Sequence, residues 1–134
     1  MTYRISDLAD DVHTLLSQLD ISQCSDKLCE LVSKALNDTE FISDYLLDRV
    51  GREKPREVLY ENDELGFCIC GHVYGDQAIG EPHDHGSSWA IYGQAEGTTE
   101  MTDWRIVKAG KGEKPSIVEP FKTYIMKPGD AHFY

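Results

Sequence analysis

Apolar side chains in the first fifty residues recur at steps of three and four. Ile5, Leu8, Val12, Leu15, Leu16 and Leu19 share one face of a helix, with Ser6 as its expected N-cap. Leu28, Leu31, Val32, Ala35 and Leu36 repeat the pattern behind Ser25. Phe41, Ile42, Tyr45 and Leu46 predict a third helix over residues 39–47. Residues 51–56 are charged and broken by Pro55, as suits a link. After them the period changes to two. Strands are expected at 57–61, 66–74, 88–94, 98–108 and 122–126, with Gly, Pro, Asn and Asp between them. Lys108 to Pro115 is a polar, exposed turn. This order predicts a single domain over residues 1–134, with a helical region at 1–50 and a β region at 56–134.

Composition narrows the possible partners. The chain has 134 residues, 13 basic against 24 acidic side chains, and a net charge of −11. One domain with a true core is expected at that length. The negative charge argues against nucleic acid and anionic membranes, since both are polyanions. No apolar run approaches the ~20 residues of a membrane span, and Met1 to Asp7 lacks the basic-then-apolar order of a signal peptide. A soluble, cytoplasmic protein is the expectation. Cys24, Cys29, Cys68 and Cys70 lack the spacing of a disulfide framework and read as small, buried, reduced thiols. Cys68-x-Cys70-x-His72 also sets three soft donors on one strand face, but adjacent positions alone cannot complete a tetrahedral zinc shell.

The chemically richest stretch is Gly80-Glu-Pro-His83-Asp-His85-Gly-Ser-Ser-Trp89. In a strand, residues two apart point to one face, so His83 and His85 reach a single ion. Imidazole suits Zn, Cu, Fe and Ni. The plainer alternative is two polar residues on a solvated face. His13 sits among acidic residues in the first helix and reads as a surface side chain.

Gly80-x2-His83-x-His85-x4-Ala90-x6-Gly97 is similar to the first cupin motif, with Ala90 where that motif carries its glutamate. Together with Leu59-Tyr60, Gly66-Phe67, Ser88-Trp89-Ala90-Ile91-Tyr92-Gly93, Trp104-Arg105 and Pro128-Gly129-Asp130-Ala131, it makes residues 56–134 resemble the cysteine dioxygenase-like cupins. These are described as predicted metal-dependent enzymes of the double-stranded β-helix superfamily. The resemblance implies a mainly β cupin jelly-roll behind the helical region. It also implies a non-haem Fe(II) site of three histidines, with Ni, Zn or Mn as alternatives, and dioxygenation of a small-molecule thiol by O2. The absence of glutamate at Ala90 agrees with that all-histidine pattern.

The third ligand has two readings. Gly129-x-x-His132 matches the end of the second cupin motif and makes His132 the ligand. In the dioxygenase-like branch a further Gly-x-x-His supplies it, and this chain stops at Tyr134 before such an element. His132 is then a strand histidine with its ring turned away. The same stop leads to the expectation of an incomplete barrel, from truncation or from cover by a second subunit, and hence of a homo-oligomer. The carboxylate-binding arginine of thiol dioxygenases falls at Glu57, with Arg56 one position off, and their crosslinked cysteine falls at Ala90. Arg56, Trp89 and Tyr92 are the candidate substrate contacts, although Trp89 reads equally as core. Arg105 reads as a substrate contact or a surface ion pair. Three functions stay open: a thiol dioxygenase, a non-catalytic metal or small-molecule binding cupin, and an inactive truncated homologue.

Overall fold

The computed structural model describes residues 2–47, 56–73 and 79–134. Three helices, α1 (Ile5–Gln18), α2 (Ile21–Leu36) and α3 (Thr39–Tyr45), precede six strands: β1 (Arg56–Asn62), β2 (Phe67–His72), β3 (Ile91–Gly93), β4 (Thr99–Lys108), β5 (Ile117–Met126) and β6 (Ala131–Phe133). The change from helix to strand falls where the hydrophobic period changes. Residues 51–55 of the expected link and Tyr74 of the second expected strand lie outside the described residues.

The helix starts are set by carboxylate and amide groups, not by the serines. The Asp7 carboxylate accepts from the backbone N–H of Arg4 at 2.9 Å, which makes Arg4 the N-cap and leaves Ser6 inside the first turn. Gln23 does the same for Asp20 at 3.0 Å, so α2 begins four residues before Ser25. At α3 the Asp38 carboxylate accepts from the N–H groups of Glu40 and Phe41 at 3.0 and 3.3 Å, and from Tyr3 at 3.0 Å. The Tyr3 contact leads the causes that hold the Asp38 carboxyl below its usual range.

Leu8, Val12, Cys24, Leu28, Ala35, Phe41 and Phe67 form the core, with Tyr60, Ile69, Trp89 and Ile91 packed on it. It lies between the helices and one face each of β1–β2 and β3–β6. The strands make three two-stranded antiparallel sheets, β1–β2, β3–β6 and β4–β5. Helix and strand are closely balanced in extent, whereas the cupin resemblance implied a mainly β fold. β3 pairs with β6 across the long β4–β5 hairpin, with Tyr92 opposite His132. This small sheet rests on α2. Gly93 makes the approach possible: a Cβ there would lie 2.5 Å from Leu36 Cδ1 and 2.8 Å from Val32 Cγ1.

Two strand expectations are corrected. The strand foreseen at 88–94 is only Ile91–Gly93, and residues 79–90 are irregular. Pro82 lacks an N–H, Gly86 takes φ 61°, and Asp84 Oδ1 accepts from the Gly86 N–H at 3.1 Å, so an Asx-type turn replaces extended chain. In the other direction, β5 starts at Ile117, five residues earlier than expected. Pro120 is tolerated because the register shifts beside its partner Trp104, in a sheet that has two strands among the described residues. The turn foreseen at 108–115 is present, with a Lys111–Lys114 bridge. Among the described residues no helix is long and apolar enough to cross a membrane.

Candidate metal centre

His83 and His85 are carried by the irregular segment before β3, so their proximity does not come from strand alternation. Their ring centroids are 5.4 Å apart and the rings are nearly perpendicular, at 82°. Two imidazole nitrogens bonded to one ion at ~2.0–2.1 Å would place the centroids roughly 4.5 to 5.3 Å apart. The pair is therefore close to chelating distance. His83 Nδ1 lies 3.0 Å from the Glu81 carbonyl oxygen. A carbonyl only accepts, so in the neutral ring this contact selects the Nδ1–H tautomer, which leaves the Nε2 lone pair for a ligand. His83 is exposed and His85 half-buried.

His85 leads into an aromatic wall. Its Nε2 lies 3.2 Å from the Tyr92 hydroxyl, and the Tyr92 and Tyr134 rings are 5.3 Å apart. Tyr134 exchanges both backbone hydrogen bonds with Ala90, at 2.9 and 2.8 Å. Tyr92 and His132 are directly opposed in an antiparallel pair and so share a face. Ile91 and Gly93 turn the other face to the core and α2. The Tyr124 ring lies 4.9 Å from that of His132, and its hydroxyl meets that of Tyr134 and donates to Asp103 at 3.1 Å. Burial first, then the Tyr134 and Asp103 contacts, push the Tyr124 hydroxyl well above the usual phenol range. Burial raises Tyr134 as well. Tyr124 therefore stays a neutral hydrogen-bonding group at physiological pH.

The other expected site residues are dispersed. His132 stands across the sheet from Tyr92, and among the described residues no group of three or more His, Cys, Asp or Glu side chains could hold a metal ion. His83, His85 and His132 are thus not brought together as a triad. Arg56 lies on the face of β1–β2 turned from the core, its Nη2 3.7 Å from Cys70 Sγ. Trp89 packs on the core, its ring 6.3 Å from Phe133. Arg105 pairs with Glu119 on the surface. His13 pairs with Glu64 at 3.2 Å. The cysteines are free, but only Cys24 is buried: Cys29 and Cys70 are intermediate and Cys68 is exposed, because β2 turns its alternate positions away from the helices.

Sequence reading did not single out Tyr124, Tyr134 or Asp103. Their cluster depends on pairing Ala90-x-Tyr92 with His132-x-Tyr134 across forty residues of chain. The matching two-residue spacings are the signal that could have found it. A groove of about 520 Å³ lies on the helical layer, lined by residues of α1 and α2 including Asp11, Lys27 and Lys34, and includes no histidine. No family model, curated protein or solved structure matches this chain.

Proposed function

We propose that the chain is a cupin-like metal protein in which His83 and His85 hold one divalent transition metal, Fe(II) in the first instance. Its proposed activity is O2-dependent oxidation of a small thiol to a sulfinate. The single observation that carries this reading is the 5.4 Å separation of the two rings with His83 Nε2 left as a free acceptor. When bound, the metal would supply the oxygen chemistry. The chain's own part is to fix one tautomer through the Glu81 carbonyl and to hold His85 against Tyr92. Tyr92, Tyr124 and Tyr134 offer a hydroxyl-lined wall beside the pair, suited to orienting a small polar substrate. In this reading the three small sheets are parts of an open jelly-roll, and the protein works in the cytoplasm.

A second reading is a non-catalytic metal-binding cupin. It is favoured by Arg56, the candidate carboxylate clamp, contacting Cys70 on a different sheet from the one that carries Tyr92. Two measurements separate the readings: metal content of protein purified without added metal, and oxygen uptake with a panel of small thiols after Fe(II) reconstitution. About one metal per chain with thiol-dependent uptake supports the dioxygenase. Metal without uptake supports the binding protein. Protein that neither retains nor takes up metal rejects both.

A further inference from the structure

Cys68 and Cys70 occupy the face of β2 opposite Phe67 and Ile69, which are turned to the core. Their Sγ atoms are 3.7 Å apart, and Arg56 Nη2 lies 3.7 Å from Cys70 Sγ. We propose that Cys68 and Cys70 form a two-sulfur site for a soft monovalent metal ion, Cu(I), with Arg56 as its charge partner. The spacing, the exposure and the neighbouring charge each bear on this.

A strand fixes the two sulfurs on one side, so an ion can be clasped without moving the backbone. A disulfide would instead require the sulfurs to close to about 2.05 Å across two extended residues. Thiolates select soft ions, Cu(I) among them, whereas structural zinc takes four donors. Charge sharpens the choice. Binding releases two protons, as two thiols and Cu(I) give a bis-thiolate complex of charge −1 plus two H⁺. The Arg56 guanidinium is permanently charged and balances that complex. A divalent ion on the same two thiolates would give a neutral complex, which gains less from a neighbouring cation than the −1 Cu(I) complex does. Cys68 is exposed and Cys70 partly so, which leaves the sulfurs accessible. This proposal is independent of the His83–His85 reading, since it shares no residue with it.

The test is anaerobic titration of the full reduced chain with Cu(I) against a chromophoric Cu(I) chelator. The expected result is one tightly held Cu(I) per chain. Cys68→Ser and Cys70→Ser should each weaken it by at least tenfold, and Arg56→Gln by several-fold. Cys29→Ser and His83→Ala should leave it unchanged. X-ray absorption on the unaltered chain guards against misfolded variants: two sulfur neighbours and no imidazole nitrogen are expected. Unchanged affinity in both cysteine variants, unchanged or tighter binding in Arg56→Gln, loss in His83→Ala, or nitrogen in the metal's shell would each overturn the proposal.

Discussion

His85 Nε2 lies 3.2 Å from the Tyr92 hydroxyl, and this contact ties the irregular histidine segment to β3. Groups that orient a metal-binding imidazole commonly matter 10–100-fold in affinity. Tyr92→Phe removes the hydroxyl while keeping the ring, so metal affinity is expected to fall roughly tenfold with little change in melting temperature. Calorimetric titration with Co(II) in place of Fe(II) checks this. Unchanged affinity would detach Tyr92 from the site.

His83→Ala is expected to lower metal content far more than His13→Ala does. His13 is already engaged with Glu64 on the surface, whereas His83 presents its Nε2 lone pair beside His85. Elemental analysis of the two variants after identical purification decides, and equal loading would remove His83 from the centre.

The parts of the fold legible in the sequence are those set by local period. The helical faces of Leu8, Val12 and Leu28 and the long β4 strand follow from spacing alone. Helix starts were misread because serine was weighed above a carboxylate or amide three residues on, as Asp7 and Gln23 demonstrate. The histidine segment was misread as strand because alternation was weighed above Pro82 and the Asp84–Gly86 turn. The Tyr92–His132 pairing leaves only matching two-residue spacings in the sequence, since register between distant strands is a tertiary property.

Gly93 carries the contact between β3 and α2, and filling it should cost stability. Gly93→Val places a side chain where Leu36 and Val32 already stand. Overpacking of this kind costs about 1–3 kcal/mol. Leu36→Ala in the same chain should recover part of the loss relative to the two single changes added together. Urea denaturation of the three variants and the parent gives the coupling.

Burial first, and then the Arg56 charge, hold the His72 imidazole below its usual range. Unfolded, it takes a proton near pH 6.5; folded, only at lower pH. Below about pH 6.5 the unfolded chain therefore binds more protons, and stability falls as pH falls. The contribution is fully present above that value. His72→Gln is expected to lose less melting temperature between pH 7.5 and 5.5 than the parent, and equal losses would assign the acid sensitivity elsewhere.

The β4–β5 hairpin is the place to expect self-association. Among the described residues it is a two-stranded sheet with both edges unpaired, and it exposes Ile106 at 62%, Phe121 at 65% and Ile125. Such edges beside apolar side chains template pairing. The charge pattern indicates what would cover them. Lys108, Lys111 and Lys114, with Glu113 the one acid among them, leave the hairpin tip net positive in a chain of net charge −11, while Asp7, Asp10, Asp11, Asp26 and Glu30 lie on the helices. A second copy thus offers an acidic surface to a basic, apolar tip. Light scattering over a range of concentrations should give a dimer or larger species, weakened by salt and by Lys108→Glu with Lys111→Glu. A monomer at every concentration in low salt would rule this association out.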